Sequence, residues 1–405
     1  MKEGARLHGM SFKTKLFFLI ALLVPCWIIA SHLNVDLVVL YETLQRALRE
    51  PHTAYSVKEF GRFFYGPVSL VLFRPLSFVS FSTASWIWIG AQTIAFVGFW
   101  WSLSRLYPFL REPETRWSFL LVLMVSINPI HNNFQSGNIQ LMIAAVLFTA
   151  ECLTRSKKPG PPFLGGLLCA LVSAIKVFPL FVALFYFLCK TNPVRKGLIA
   201  GFALSALIPF LFFGFPDGLA LFQGFFKNLT AYHVDNPLIK IPDILCLPSF
   251  MVRLFGHDHW LVQATVASLA LAFFSSAFFY ARKLNTDSSR ERTHLFALAL
   301  AFMTFLNSST RPHYFIFYVP AFCSIVEILR KEHSAVVQGL LALSTLLIAF
   351  TVEGVVGKSL NDRLESLSIP TVGMLFLCGT LTVLIAFGGV GNISYRDNTL
   401  SRGRA

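Results

Sequence analysis

The chain has 405 residues, of which 55% are hydrophobic, 15% aromatic and 13% charged, and its mean hydropathy is +0.64. Soluble domains carry about 25% charged residues, so the composition excludes an ordinary soluble globular enzyme and points to a polytopic membrane protein. The net charge is +14; the basic residues sit in short segments between apolar runs, where they set topology, and no basic-aromatic interleaved stretch marks a nucleic-acid surface.

Apolar length, about 20 residues for a full crossing, sets the expected spans, and lysine and arginine in the connecting loops orient them. The N-terminus, with Lys2, Arg6, Lys13 and Lys15 ahead of an apolar run, resembles a signal peptide, but no small-x-small cleavage site follows. It reads as an uncleaved first span over residues 16–31, leaving a basic cytoplasmic end. An outer loop over 32–83 follows. It contains Asp36, an amphipathic surface helix from Val38 to Leu48, and an apolar stretch, Val68 to Phe81, interrupted by Arg74-Pro75 and read as re-entrant or interfacial. Span 2 covers 84–103 and span 3 covers 117–131; a polar turn from His131 to Asn138 leads to span 4 at 138–154.

The segment from Phe163 to Leu188 carries Lys176-Val177-Phe178-Pro179 in its middle. As one helix it would leave Lys190, Arg195 and Lys196 outside, and proline breaks the hydrogen-bond ladder. It therefore divides into short spans at 163–175 and 178–189, with Lys176 at the outer turn. Span 7 is 196–214, and a second outer loop at 215–260 holds Asp217, His233, Asp235, Asp243, His257, Asp258 and His259. Spans follow at 261–281, 294–308, 314–329, 335–352 and 370–389, with Asn307 to His313 as an outer turn. The expected architecture is one polytopic all-α integral membrane domain over 1–405, about twelve transmembrane helices with both termini cytoplasmic.

Cys26, Cys152, Cys169, Cys189, Cys323 and Cys378 lie in apolar segments and Cys246 in a loop. With no CxxC and no Cys/His cluster of zinc spacing, neither a disulfide framework nor a structural metal site is expected. The His257-Asp258-His259 run lacks further ligands of suitable spacing, and Asn228-Leu229-Thr230 is a glycosylation pattern common by chance.

Sorting by side places Asp36, His131, Gln135, Asn138, Gln140, Lys176, Arg311 and His313 at the outer face. Ionisable and polar groups beside spans are functional candidates because burial without partners is costly. Each has a plainer reading. Asp36 suits a helix cap or a general base; Lys176 a snorkelling lysine or a phosphate ligand; Arg311 an ion-pair partner or a planar phosphate fork. His313 alone is equally a satisfied interfacial histidine, and Tyr65-Gly66-Pro67 a simple turn.

Taken together, these residues resemble glycosyltransferase family 87 of the GT-C superfamily. The carriers are Asp36 followed by Tyr41, the Tyr-x-Pro at Tyr65 with Arg74-Pro75-Leu76 beyond it, and Gly137-Asn138-x-Gln140 opening span 4. Lys176-x-x-Pro179 and Thr310-Arg311-Pro312-His313-Tyr314 complete the set. The family pattern has Tyr-Pro-Pro where Gly66 stands here, and Gly-Gln-x-Asn where Asn138 and Gln140 stand exchanged. The resemblance implies a GT-C-like bundle that moves a sugar, mannose or another hexose, from a polyprenyl-phosphate donor to a hydroxyl of a lipid-linked or envelope glycan. The implied site lies outside the cytoplasmic membrane. It makes Asp36 the general base of an inverting transfer, and gives Lys176, Arg311, His313, Tyr65, Asn138 and Gln140 to donor phosphate and sugar. The absence of Asp-x-Asp and of a second acid beside Asp36 implies no cofactor and no obligatory divalent metal. The competing class is a twelve-span transporter or flippase. Transporters place ionisable groups at mid-membrane within internal repeats, whereas here the candidates gather at one face and no repeat is evident.

Overall fold

The computed structural model describes residues 12–30, 35–55, 63–112, 115–234, 244–255, 259–283, 289–330, 334–349 and 356–386. Among them every element is an α-helix or a 3₁₀ turn, as expected where the solvent is lipid and each backbone group must be bonded within its own segment. The chain begins with α1 (Phe12–Ala30), α2 (Val35–Arg49), α3 (Pro67–Leu72) and α4 (Phe81–Leu106). Next come α5 (Arg116–Ser136), α6 (Gln140–Thr154), α7 (Gly160–Ile175), α8 (Leu180–Cys189), α9 (Asn192–Phe213) and α10 (Phe215–Val234). The last third holds α11 (Leu247–Phe255), α12 (His259–Lys283), α13 (Ser289–Leu306), α14 (Val319–Leu329), α15 (Ala335–Ala349), α16 (Lys358–Ser366) and α17 (Ile369–Ala386).

Four stretches among the described residues are both long and apolar enough to cross a membrane: Asn192–Phe213, Trp260–Tyr280, Pro312–Leu329 and Ile369–Ala386. Shorter apolar helices, Thr14–Ile28, Gln140–Thr154, Gly160–Ile175, Leu180–Cys189 and Ala335–Ile348, match other expected spans. The described residues are thus all-helical, with several helices apolar enough for a multi-pass membrane protein. Two expectations change. The polar turn from His131 is helical to Ser136, so only Gly137 and the residues just after it form the turn into α6. The expected loop at 215–260 is largely helix, because Phe215 to Val234 continues as α10 after a break at Gly214, whose φ of +80° suits glycine. Asp235, Asp243, His257 and Asp258 lie outside the described residues.

The chain forms two compact units. One comprises residues 16–106 and 129–238. Its centre is the trio α7, α8 and α9. Proline at 179 ends the helical run as expected: Lys176 is extended at φ −141°, ψ 129°, and α8 restarts at Leu180. Helix α9 then returns parallel to α7, and small residues let the two backbones touch. A Cβ on Gly166 would meet the Val194 carbonyl, one on Gly197 the Phe163 carbonyl, and one on Gly201 the Cβ of Ala170. This is the small-residue packing typical of membrane helices, where close backbone approach replaces hydrophobic driving force. A buried cluster closes the far end of α6: Lys190 Nζ lies 2.8 Å from Glu151 Oε1, and the Tyr186 hydroxyl donates to Glu151 Oε2 at 2.9 Å.

The other unit comprises residues 1–15, 107–128 and 239–405. Its centre is the 312–329 stretch, where nearly every side chain from His313 to Ile328 is buried. The Tyr107 hydroxyl reaches Ser324 Oγ and the Pro320 carbonyl, both at 2.8 Å. Arg253 ties α11 to the corner between α16 and α17, donating to the Glu365 carbonyl at 2.8 Å and Ser368 Oγ at 2.6 Å.

Candidate active site

Asp36 stands in the first turn of α2, where the helix dipole favours a carboxylate. It is half-buried, and Asn138 Nδ2 donates to its Oδ2 at 2.6 Å across 102 residues of sequence. What fixes Asn138 is the end of α5. Gly137 adopts φ +68°, its N–H reaches the Phe134 carbonyl at 3.3 Å, and the Asn138 N–H reaches the Asn133 carbonyl at 3.0 Å. That pair of bonds is a Schellman cap with glycine at the left-handed position. Helix α4 secures the turn from outside: Trp88 Nε1 donates to the Gly137 carbonyl at 2.9 Å. One turn further along, Gln92 Nε2 donates to the carbonyls of Asn133 and Asn138, at 3.2 and 3.1 Å. The start of α6 is capped by side chains, Asn138 Oδ1 accepting from Gln140 N–H at 3.2 Å and Asn133 Oδ1 from Leu141 N–H at 3.0 Å. Asn138 thus caps a helix with its oxygen and holds Asp36 with its nitrogen.

Gln140 is fully buried, and neither atom of its amide has a hydrogen-bond partner. Gln92 Oε1 is likewise sealed and unpartnered. Buried amide atoms left unbonded are costly, so this stretch keeps polar capacity that its own fold does not use.

A second candidate place in the same unit is the strap Tyr65-Gly66-Pro67. Gly66 N–H donates to the Ile175 carbonyl at 2.8 Å, at the C-terminal end of α7. A Cβ here would run into the Ala174 carbonyl oxygen, so only glycine allows the approach. Pro67 opens α3 at a first-turn position that needs no N–H, and the Ser69 hydroxyl donates to the Gly66 carbonyl at 2.6 Å. The contact brings Tyr65 under the residue that follows Ile175: Lys176 Nζ lies 5.0 Å from the centroid of the Tyr65 ring, a cation–π distance. Tyr65 packs edge-on against Phe63 at 5.1 Å, and its carbonyl accepts from the Tyr55 hydroxyl at 2.8 Å. Burial pushes the Tyr55 hydroxyl well above its ordinary range, so it stays a donor.

Arg311 and His313 belong to the other unit. Their turn is built by Thr310, whose hydroxyl donates to the Thr304 carbonyl at 2.7 Å and whose carbonyl accepts from Leu245 N–H at 2.7 Å. His313 is buried and its ring lies 4.9 Å from that of Tyr314. The structure therefore brings Asp36 to Asn138 and Tyr65 to Lys176 within one unit. Among the described residues no group of three or more His, Cys, Asp or Glu side chains stands together as a metal site.

The family model for glycosyltransferase family 87 matches residues 63–309, more than half of the chain. The chain belongs to glycosyltransferase family 87. The matched stretch of this family 87 chain contains Tyr65, Trp88, Gln92, Asn138, Gln140 and Lys176, while Asp36 precedes it and Arg311 and His313 follow it. A curated relative is the polyprenol-phosphate-mannose-dependent alpha-(1-2)-phosphatidylinositol mannoside mannosyltransferase of Mycobacterium tuberculosis (strain ATCC 25618 / H37Rv). It is 26% identical over 161 residues, covering 37% of this chain and 36% of that protein. The match thus spans about a third of the curated relative. No solved structure matches.

Sequence reasoning missed Trp88, Gln92 and Asn133, although a glutamine and an asparagine within apolar helices were legible signals. It also missed the partnership of Glu151, Tyr186 and Lys190; a glutamate inside span 4 was the visible clue.

Proposed function

We propose that this family 87 protein transfers a sugar, mannose or another hexose, from a polyprenyl phosphate to a hydroxyl of a lipid-linked or envelope glycan. The observation that carries the reading is the half-buried Asp36 carboxylate at the start of α2, aimed by Asn138. In the proposed step Asp36 takes the proton of the acceptor hydroxyl as its oxygen attacks the anomeric carbon. The bond from that carbon to the donor phosphate breaks, the polyprenyl phosphate leaves with the electron pair, and the anomeric centre inverts. Charge grows on the departing phosphate, and a pre-placed cation stabilises it most where water is excluded. Lys176, seated over Tyr65, is the cation proposed for that role, with the Tyr65 ring beside it to pack on sugar or prenyl chain. Arg311 and His313 are proposed as further donor ligands on chemistry alone, a planar fork and a hydrogen-bond donor. Cationic side chains then do what a divalent ion would, so the scheme requires no metal and no cofactor.

The proposed site faces outward and both termini lie in the cytoplasm, in keeping with basic clusters such as Arg155, Lys157, Lys158 and Arg195, Lys196 at one end of the helices. The relative's printed name, with its polyprenol-phosphate-mannose dependence and phosphatidylinositol mannoside acceptor, favours a mannose donor and a lipid-linked acceptor here. The test is transfer from a labelled polyprenyl-phosphate mannose by purified Asp36→Asn. Loss of turnover by about two orders of magnitude or more is expected from a missing base; near-wild-type turnover in a folded sample rejects the assignment.

A further inference from the structure

Arg74 opens the 3₁₀ turn Arg74–Phe78 that follows α3, in the same unit as Asp36. Its guanidinium stands 5.7 Å from the Phe78 ring and 6.0 Å from that of Phe212, at the end of α9 away from Arg195 and Lys196. Its Nε is sealed from solvent without a hydrogen bond, and among the described residues no carboxylate or carbonyl accepts from the group. Asp217, shortly after α9, forms no ion pair with it. Phe78 and Phe212 are themselves exposed, as are Leu72 two residues before Arg74 and Leu211 and Phe215 beside Phe212 in sequence, an apolar surface of the kind that a membrane protein turns to lipid. A fixed, always-charged fork at an apolar surface is matched by an anion that brings its own hydrocarbon, and guanidinium geometry suits phosphate oxygens in a bidentate pair.

The place is coupled to the candidate base by two routes. Phe73 packs on Trp88 with ring centroids 5.3 Å apart, and Trp88 holds the Gly137 carbonyl beside Asn138. Ser77 Oγ donates to the Arg74 carbonyl at 2.6 Å, and the Ser77 carbonyl accepts from Gln45 Nε2 at 2.7 Å. Gln45 lies two and a half turns from Asp36 along α2, about 14 Å at 1.5 Å per residue.

We propose that Arg74, flanked by Phe78 and Phe212, is a binding site for the phosphate of a lipid, whose tail lies along the adjoining aromatic surface. That the lipid is a polyprenyl phosphate rests on the transferase reading above; the lipid-phosphate site does not. The test uses the full-length purified protein and measures by native mass spectrometry the retention of polyprenyl monophosphate and, in a separate arm, of phosphatidylglycerol. Each is expressed as a ratio to retention of neutral polyprenol by the same sample, which corrects for any loss of fold. Arg74→Gln is expected to lower the ratio about tenfold, the loss of a charge-assisted pair, and Arg74→Lys to lower it less. Loss confined to polyprenyl monophosphate assigns the site to donor or released carrier, and loss confined to phosphatidylglycerol assigns it to a bilayer lipid. An unchanged ratio in both arms for Arg74→Gln overturns the proposal. Retention is read without turnover, so the outcome for Asp36→Asn leaves this result untouched.

Discussion

Replacing Gly66 by alanine tests whether the strap is what seats Lys176 over Tyr65. The added Cβ meets the Ala174 carbonyl oxygen, a backbone atom held within the last turn of α7, and the Ala174 carbonyl carbon at 3.2 Å. No rotamer change relieves this contact, so the strap must lift away. Lifting it breaks the 2.8 Å bond from Gly66 N–H to the Ile175 carbonyl, worth about 1 kcal/mol net and more because both groups are buried. Overpacking adds about 1–3 kcal/mol. The sum, about 2–4 kcal/mol, falls on the geometry that sets the 5.0 Å distance between Lys176 Nζ and the Tyr65 ring. Transfer assayed against donor concentration is expected to fall at least tenfold, with a lowered unfolding temperature. Gly66→Pro, which restores the family's usual residue, removes the N–H as well and is expected to be worse in this chain. Wild-type transfer and stability in Gly66→Ala would refute the reasoning, since the strap would then tolerate the very atom the structure excludes.

Asn138→Ala removes the donor to Asp36 Oδ2 and one cap of α6; a charge-assisted bond of about 1.5–3 kcal/mol corresponds to about a ten- to hundredfold loss of turnover. Asn138→Asp, which sets two carboxylates against each other, is expected to lose more, and wild-type turnover in Asn138→Ala would remove Asn138 from the site. For the buried Lys190–Glu151 pair, Lys190→Met alone strands a charge and is expected to destabilise by about 3–5 kcal/mol. The double variant Glu151→Leu with Lys190→Met should recover most of that in a denaturation experiment; equal loss in single and double variants would contradict an ion pair whose value lies in mutual neutralisation.

Several elements were legible because the signal was local. Proline at 179 and basic residues on both sides of 163–188 divide that segment into two helices, and α7 and α8 form as those residues dictate. The amphipathic pattern from Val38 to Leu48 marks α2, which begins slightly earlier, at Val35. What stayed hidden depends on pairing across long separations. Nothing near residue 36 tells which amide will meet its carboxylate, because Asn138 is brought there by a helix cap at Gly137 and by Trp88 and Gln92 of α4. The polar run from His131 misled for a physical reason: in a bundle interior, asparagines such as Asn133 bond back to helix carbonyls, here Pro129 at 2.7 Å, and leave the helix intact. Gly66 departs from the family pattern, and only the approach of α7 explains why this chain has glycine there.

The two candidate places in this unit rest on one construction principle: a glycine lets backbone reach backbone, and a residue adjacent to it carries the polar or aromatic side chain. Gly137 turns α5 back so that Asn138 can hold Asp36, and Gly66 lets the strap touch α7 so that Tyr65 meets Lys176. In both cases the backbone that carries the polar side chain is held by main-chain hydrogen bonds, Asn138 N–H to the Asn133 carbonyl and Lys176 N–H to the Val172 carbonyl, both at 3.0 Å. That suits a site beside lipid, where an unpaired side-chain network costs more than in water. It also means that the proposed base and the proposed phosphate cation are positioned before any substrate arrives, which is the condition for a cation to stabilise a leaving group without reorganising. The amide of Gln140, directly after the Gly137 turn, is unpartnered at both its nitrogen and its oxygen, and Gln92 Oε1 beside the same turn is unpartnered too. A sugar hydroxyl or a water brought by the acceptor is what such an amide lacks, so Gln140→Leu should raise stability while weakening use of the sugar substrate.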